Sequence, residues 1–119
     1  NNKVKTNIQL LKLVEELKKQ ASVENVKVWK RLALDLEKPT RQRRIVNIYK
    51  INKYTKPEET VVVPGKVLSV GELGHKVNVA AYNFSEGAKQ KIVSSQGKVM
   101  TIYELMKANP KGKGIRIMG

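Results

Sequence analysis

The chain of 119 residues carries 24 lysines and arginines against 10 aspartates and glutamates, a formal net charge of +14, and it contains no cysteine. Its length predicts one domain with a core that needs no disulfides, and the missing thiols exclude disulfide and thiolate–metal sites. The excess of positive charge is +8 over residues 1–60 (15 basic, 7 acidic) and +6 over residues 61–119 (9 basic, 3 acidic). Such a net charge makes the folded chain repel itself, and the simplest explanation for it is a polyanionic partner that neutralises the charge. Without a signal peptide or an apolar run of roughly 20 residues, we expect a cytoplasmic protein.

The first predicted element is an amphipathic helix from Thr6 to Gln20. Its apolar residues recur with the spacing of one helical face: Leu10, Leu13, Val14 and Leu17. Thr6 and Gln9 have the spacing of a capping box, which predicts the start of the helix. The preceding residues, Asn1–Lys5, are predicted to form a loose basic tail.

A second helix is predicted from Val23 to Glu37, with Ser22 as its N-cap and its end before Pro39. The predicted buried stripe consists of Val26, Trp29, Ala33 and Leu36. The other face carries Lys27, Lys30, Arg31 and Lys38. These four cations form either an RNA-contacting surface or an ordinary solvated side of the helix.

A basic connector, Lys38–Arg44, follows the second helix. Pro39 keeps it out of that helix, and Arg41, Arg43 and Arg44 place three guanidinium groups within four residues. Because guanidinium groups match phosphate oxygens bidentately, the connector is predicted to contact nucleic acid.

The next stretch, Ile45–Tyr54, is ambiguous between strand and helix. Asn47 as N-cap, with Val46 and Ile51 as a hydrophobic staple, favours a short helix. Lys56–Thr60 is predicted to be a polar loop.

The central stretch, Val61–Phe84, is predicted to form the core of the fold. Val61–Val63 reads as a strand buried on both faces, because neighbouring side chains in a strand point to opposite sides. Pro64-Gly65 predicts a turn, Val67–Val70 a second strand, and Lys76–Phe84 a third strand after a turn at Gly71–Gly74. In the third strand, the residues predicted to line one face are Val77, Val79 and Ala81.

The carboxy-terminal part predicts two further helices, each beginning with a capping residue. Ser85 caps the first, which has Glu86 in its first turn and Gly97 marking its end. Its inward-facing residues are predicted to be Ala88, Ile92 and Val93. Lys98–Met100 reads as a short strand.

The last helix is predicted to start with a capping box of Thr101 and Glu104, stapled by Met100 and Leu105, and to end at Asn109-Pro110. A flexible basic loop, Lys111–Gly114, then leads to a final strand, Ile115–Met118. The second half therefore reads β-β-β-α-β-α-β.

Catalytic chemistry is not predicted. His75 is the only histidine, and residues 61–119 contain three acids, two of which occur at helix starts. No phosphate-binding loop is complete: Gly65-Lys66 lacks the earlier glycine, and its lysine is not followed by Ser or Thr. We therefore predict no enzyme, no metal and no cofactor.

Three segments carry a resemblance to a known family: GKVLSVGELGHKVNVAAYNFSEGAKQKI, GKVMTIYELMKANPKGKGIRIM and the upstream LLKLVEELKKQASVENVKVWKRLALDL. Together they resemble archaeal large-subunit ribosomal protein eighteen-e, whose fold is shared by bacterial large-subunit ribosomal protein fifteen. The resemblance implies an irregular β-β-α superhelix after two amino-terminal helices, with no catalysis. It also implies binding to large-subunit ribosomal RNA, neighbouring large-subunit proteins and an archaeal source.

The expected function is that of a structural ribosomal constituent that binds and neutralises folded RNA, with no membrane or small-molecule partner. The alternative is a stand-alone nucleic-acid-binding protein acting on DNA or messenger RNA. One domain, 1–119, is expected, with 1–56 as the helical, RNA-facing part and 57–119 as the α/β core. The predicted RNA-binding residues are Lys3, Lys5, Lys27, Lys30, Arg31, Lys38, Arg41, Arg43, Arg44, Lys53, Lys66, His75, Lys76, Lys111, Lys113 and Arg116. Trp29 and Phe84 fall on predicted core faces, so base stacking is not expected to carry recognition.

Overall fold

The structure is a computed structural model that describes the backbone of residues 2–37 and 44–118 and the side chains of residues 8–37 and 45–118. Five helices and five strands lie in these ranges. In chain order they are α1 (Asn2–Glu24), α2 (Lys27–Leu36), β1 (Arg44–Asn47), α3 (Ile48–Tyr54), β2 (Thr60–Leu68), β3 (Asn78–Phe84), α4 (Glu86–Ser94), β4 (Lys98–Thr101), α5 (Ile102–Ala108) and β5 (Ile115–Ile117). In this part of the chain, no helix has the length and hydropathy needed to cross a membrane.

The five strands form one sheet in which every pair is parallel, with β2 at its centre. β3 and then β4 extend the sheet on one side of β2. On the other side β5 pairs with Thr60–Val62 and β1 pairs with Gly65–Leu68, so these two short strands share one edge of β2. The predicted mixed α/β class is confirmed. The predicted order is wrong in two places, since β1 precedes the central stretch and two predicted strands are one.

The predicted turn at Pro64-Gly65 is wrong, because β2 runs without interruption through both residues. Between Val63 and Lys66 the register with β3 slips, so β2 contains one more residue than the strand beside it. A bulge of this kind accommodates a proline inside a sheet, since proline has no N–H to give to the ladder. Pro64-Gly65 has the residue types of a turn, but pairing on both sides of β2 keeps the chain extended.

The core has two layers, one on each face of the sheet. The layer with α3 and α4 contains Val46, Ile48, Ile51, Val61, Val63, Val67, Leu73, Val77, Val79, Ala81, Ala88, Ile92 and Met118. The layer with α1, α2 and α5 contains Val14, Leu17, Trp29, Leu32, Ala33, Leu36, Val62, Ala80, Ile102, Leu105 and Met106. The predicted two-sided burial of the valine run is confirmed, as is the single face shared by Val77, Val79 and Ala81. The inward position predicted for Val93 is wrong, because its side chain is exposed.

The boundary between the first two helices differs from the prediction. α1 continues to Glu24, and Asn25 then takes a left-handed conformation with φ 54°. The Val26 N–H donates to Ala21 O at 3.1 Å, the six-to-one hydrogen bond of a Schellman C-cap. Asparagine tolerates this conformation better than most residues, so α1 ends at Glu24, just before Asn25, and α2 begins at Lys27.

The caps predicted for these two helices are therefore wrong. Ser22 lies inside α1, and α2 has Val26 at its N-cap position with no side-chain cap. Thr6 also lies inside α1, because the helix already begins at Asn2. The predicted loose tail is thus helical from its second residue, and residues 2–5 include no glycine or proline that would stop a helix.

Strand and helix both occur in the stretch that was ambiguous in sequence. β1 ends at Asn47 and α3 begins at once with Ile48, so the predicted short helix and the N-cap position of Asn47 are confirmed. Val46 and Ile51 belong to the same core layer, as a staple requires. The Asn47 side chain makes no capping bond, and its buried Oδ1 has no hydrogen-bond partner among the described residues.

The predicted caps of the last two helices are confirmed. Ser85 Oγ accepts the Ala88 N–H at 3.2 Å at the start of α4. At the start of α5, Thr101 Oγ1 accepts the Glu104 N–H at 3.0 Å while Glu104 Oε1 accepts the Thr101 N–H at 2.9 Å. Both hydrogen bonds of the capping box are present. A capping box depends on only four consecutive residues, so the sequence alone can predict it.

The end of α4 uses a different residue from the predicted glycine. Gln96 takes the left-handed conformation, with φ 66°, and Gly97 follows it. Gly97 is required for another reason, since a Cβ there would lie 2.1 Å from the carbonyl oxygen of Val77. The glycine therefore permits close contact between the end of α4 and the segment before β3.

Candidate nucleic-acid interface

The exposed face of α2 carries three cations, as the sequence predicted. Lys27, Lys30 and Arg31 are exposed, and their spacing of three and four residues puts them on neighbouring positions of one helical face. The opposite face of the helix is fixed in the core by Trp29 and Leu36, both fully buried. None of the three cations forms an ion pair or hydrogen bond with a described residue. Burial of one side of α2 thus presents three free positive charges to solvent.

The loop between α5 and β5 is attached to α2 by a hydrogen bond. Trp29 Nε1–H donates to Pro110 O at 2.7 Å, joining residues 81 positions apart in sequence. Gly112 has φ 66°, and a Cβ there would lie 2.7 Å from Val28 Cγ1 and 3.0 Å from Val26 Cγ1. Only glycine allows the loop backbone to approach α2 this closely.

The same loop is held in shape by Asn109. Its Nδ2 donates to Lys113 O at 2.8 Å, and its Oδ1 accepts the Lys113 N–H at 3.4 Å. The exposed side chains of Lys111 and Lys113 flank the glycine that contacts α2. We call Lys27, Lys30, Arg31, Lys111 and Lys113 together the basic face.

A cleft of about 570 Å³ adjoins the basic face between the end of α1 and α2. Lys27 and Lys30 supply its free positive charge, while Lys18 is paired with Glu37 at 2.6 Å, and Ser22 and Asn25 supply neutral hydrogen-bonding groups. Cationic and amide donors around an open cleft suit phosphate oxygens. The sequence predicted RNA-binding residues in both α2 and the loop, without indicating that the two segments lie side by side. No local pattern could have predicted that the loop packs on α2, because the attachment depends on a buried tryptophan and a distant carbonyl oxygen.

Three other predicted RNA-binding lysines are exposed at other points of the fold. Lys66 lies on β2 just after the bulge, and Lys76 lies in the segment before β3. Lys53 lies near the end of α3, with its Nζ 5.3 Å from the centre of the Tyr54 ring.

Two predicted RNA-binding side chains make contacts within the protein. His75 Nε2 lies 2.8 Å from Thr55 Oγ1, and the Thr55 hydroxyl lies 2.6 Å from Ile51 O. Since the hydroxyl has one proton and gives it to the carbonyl, the histidine donates from Nε2. Arg116 donates from Nη1 to Tyr54 O at 2.5 Å, and its Nε is 3.4 Å from Glu59 Oε2. Both side chains thus hold the segment that follows α3.

The remaining predicted residues lie partly or wholly outside the described residues. Lys38, Arg41 and Arg43 fall in the range that the structure does not describe. Arg44 begins β1, and Lys3 and Lys5 lie in α1, but only their backbone is described.

Lys91 shows that a basic residue can serve the fold alone. Its Nζ donates to Ser69 O at 2.8 Å and to Gly71 O at 2.5 Å, and it lies 3.5 Å from Glu72 Oε1. The lysine of α4 thereby fixes the long connection between β2 and β3. No local pattern in the sequence indicates this role.

The comparisons with known proteins agree on one family. A family model described as "Ribosomal protein 60S L18 and 50S L18e" matches residues 2–119. The large ribosomal subunit protein eL18 of Sulfurisphaera tokodaii is 50% identical over 113 residues, which cover 95% of this chain and 92% of that protein. The eL18 protein of Sulfolobus acidocaldarius is 50% identical over 115 residues, 95% of this chain and 94% of its own. The eL18 protein of Methanothermobacter thermautotrophicus is 46% identical over 114 residues, which cover 96% of this chain and 94% of that protein.

Proposed function

The chain belongs to the family of ribosomal proteins 60S L18 and 50S L18e, and we propose on that basis that it binds folded ribosomal RNA through its basic face. Membership makes the protein a structural constituent of the large ribosomal subunit and not an enzyme. The proposal adds which part of the molecule contacts the RNA and by which chemistry.

The observation that carries the proposal is that the Trp29–Pro110 hydrogen bond joins two cationic segments. The five cations of the basic face are exposed and make no side-chain bond to a described residue, so their charge remains available to a partner. An RNA backbone that neutralises them releases counterions, which favours binding. Trp29 is fully buried and Phe84 is half-buried against the core, so neither ring is offered for base stacking, and the proposed contacts are to phosphates and 2′-hydroxyls.

The proposed interface also includes cations beyond the basic face. The connector that follows α2 in sequence adds three positive charges to the proposed interface, those of Arg41, Arg43 and Arg44. The other members of the proposed set are Lys3, Lys5, Lys38, Lys53, Lys66, His75, Lys76 and Arg116. Among these, His75 and Arg116 contribute through the segment they hold.

The chain is proposed to act as a single domain, with residues 1–56 supplying most of the RNA-facing surface and residues 57–119 the α/β core. Support comes from β1, which lies in the first part and pairs with β2 of the second. The parallel pairing of successive strands also supports the irregular superhelix that the family resemblance implies. Its partners in the cell are large-subunit ribosomal RNA and neighbouring ribosomal proteins, in cytoplasmic ribosomes.

The test is a salt titration of binding to fragments of large-subunit ribosomal RNA. A plot of log affinity against log salt is expected to be linear, with a slope of about −0.9 per neutralised phosphate if RNA behaves as duplex DNA does. Duplex DNA of equal length serves as the control and is expected to bind more weakly. A slope near zero would overturn the proposal, and equal affinity for DNA would favour the stand-alone nucleic-acid-binding protein.

A further inference from the structure

The exposed side of α3 carries tyrosines and lysines together. Tyr49 is 54% exposed and Tyr54 is 52% exposed, although both are large aromatic side chains. Tyr49 and Lys53 are four residues apart, as are Lys50 and Tyr54, so each tyrosine has a lysine beside it on the helical surface. The Lys53 Nζ lies 5.3 Å from the centre of the Tyr54 ring. We call Tyr49, Lys50, Lys53 and Tyr54 the tyrosine–lysine patch.

The other side of α3 is held firmly in the fold. Ile48 and Ile51 are fully buried in the core. The Tyr49 N–H donates to Val70 O at 2.9 Å. Gly71 has φ 103°, and a Cβ there would lie 2.7 Å from the Tyr49 backbone nitrogen, so the connection after β2 packs directly against the start of α3. The patch therefore stands on a fixed backbone, which lowers the entropic cost of binding a ligand there.

The charge around the patch is positive after the neighbouring acids are counted. α3 and the segments joined to it, residues 48–60 and 69–77, contain three glutamates. Glu59 lies beside Arg116 and Glu72 lies beside Lys91, so these two pairs cancel. Glu58 then remains against four lysines, which leaves +3, and none of these lysines forms an ion pair with a described residue. The four are Lys50, Lys53, Lys56 and Lys76.

We propose that the tyrosine–lysine patch binds unpaired nucleotides of RNA, with bases stacked on the two tyrosine rings and phosphates beside Lys50 and Lys53. Exposed aromatic rings combined with cations are typical of surfaces that bind single-stranded RNA. A basic segment of another protein is disfavoured, because the surrounding lysines repel it. The inference rests on the proposed function for its class of ligand, RNA, but it uses different residues and a different chemistry.

The patch and the basic face lie on opposite sides of the sheet. α3 packs on the core layer that contains Val61 and Val79, and α2 packs on the layer that contains Val62 and Ala80. The protein can therefore contact two RNA segments at once, a folded segment at the basic face and an unpaired segment at α3.

The experiment compares two oligomers of equal charge. One is a single-stranded RNA of about ten nucleotides without self-complementarity, and the other is the same ribose-phosphate backbone without bases. Binding of each to the full chain is measured by fluorescence anisotropy at about 0.2 M salt, where phosphate contacts are weakened. The RNA is expected to bind about ten-fold tighter, because only its bases can stack on the rings. In nuclear magnetic resonance spectra, the ring protons of Tyr49 and Tyr54 should shift upfield.

Two pairs of substitutions separate stacking from other effects. Tyr49→Ala with Tyr54→Ala should weaken binding of the RNA about ten-fold, to the affinity of the abasic oligomer, and leave that of the abasic oligomer unchanged. Tyr49→Phe with Tyr54→Phe keeps both rings and should keep the preference for RNA. Since both side chains are half exposed, the urea midpoints of these variants should stay close to that of the parent.

Tyr103 provides a matched control in different surroundings. It is 44% exposed, and Lys107 Nζ lies 5.2 Å from its ring centre. Glu15 and Glu16 line the pocket beside it and offset Lys12 and Lys107, so the positive excess found at α3 is missing there. Tyr103→Ala is therefore expected to leave the affinity for the RNA oligomer unchanged.

A variant of the basic face distinguishes this inference from the proposed function. With Lys27, Lys30, Lys111 and Lys113 replaced by alanine, binding of folded RNA should weaken while the preference for the RNA oligomer over the abasic oligomer persists. If the preference is lost in this variant, the bases bind at the basic face and the inference is wrong.

Other results would also overturn the inference. One is equal affinity of the parent for the two oligomers, and another is a loss in Tyr103→Ala as large as that in the double alanine variant. Loss of the preference in the double phenylalanine variant would show that hydroxyl groups, not stacked rings, carry the contact. A lysine-rich peptide that displaces the RNA and shifts the same ring protons would assign the patch to a protein partner.

Discussion

The cations of the basic face and two other cations, Lys91 and Arg116, have the same formal charge but different surroundings. Lys27 and Lys30 extend into solvent with no bond to a described residue. Lys91 donates to two carbonyl oxygens and lies beside Glu72, and Arg116 joins Tyr54 O to Glu59. A count of basic residues does not separate the two kinds. What separates them is whether the fold has already provided a partner for the charge.

The largest effect is expected when the free cations of the basic face are removed. Replacing Lys27, Lys30, Lys111 and Lys113 with alanine should weaken binding to ribosomal RNA by about 10- to 100-fold at about 0.1 M salt, because up to four phosphate contacts are lost. The slope of log affinity against log salt should flatten by about one per lost contact. The free energy of unfolding should stay within about 0.5 kcal/mol of the parent's value.

The matched control removes four exposed lysines elsewhere. These are Lys19, Lys56, Lys98 and Lys107. If this variant loses as much affinity as the first, the positive charge acts as a diffuse cloud and the basic face has no special role.

The connector provides the next largest effect. Replacing Arg41, Arg43 and Arg44 with alanine should weaken RNA binding by roughly ten-fold and flatten the salt slope by about one unit per lost phosphate contact. Denaturant midpoints should hardly change, because the sequence predicts these charges to lie in a solvated loop, where charges contribute little to folding. A large loss of stability with an unchanged slope would show that the connector arginines resemble Lys91 and not Lys27.

Lys91 gives the opposite pattern and sharpens the comparison. Lys91→Met keeps the length of the side chain but removes the donors to Ser69 O and Gly71 O. The free energy of unfolding should fall by about 1–2 kcal/mol, because two carbonyl oxygens lose a charged donor. Urea melts measure this loss, and the salt slope of RNA binding should equal that of the parent. A flattened slope would place Lys91 among the phosphate contacts.

Trp29→Phe gives the smallest effect and tests the link between α2 and the loop. The ring volume is largely kept while the donor to Pro110 O is lost, so unfolding should become easier by about 1 kcal/mol. RNA binding should weaken by about two- to five-fold, since Lys111 and Lys113 are then held less firmly. Adding the alanine changes at Lys111 and Lys113 to this variant should cost less affinity than adding them to the parent. Equal costs would mean that the hydrogen bond does not position the loop.

Short-range features of the fold could be predicted from the sequence because a few neighbouring residues decide them. The caps at Ser85 and at Thr101–Glu104, the two-sided burial of Val61–Val63 and the core face of β3 are all confirmed. The exposure of Lys27, Lys30 and Arg31 follows in the same way, because the apolar stripe of α2 leaves only one face for solvent.

Tertiary structure alone decided where competing local signals ended. Pro64-Gly65 has the residues of a turn, but strands on both sides of β2 keep it extended as a bulge. The boundary between the first helices is by contrast a local feature, because Asn25, not Ser22, takes the left-handed conformation that ends α1. The loop that carries Lys111 and Lys113 is attached to α2 because Trp29 donates to a carbonyl oxygen 81 residues away. Periodicity and capping act over a few residues, whereas pairing and packing join segments whose separation leaves no trace in the local sequence.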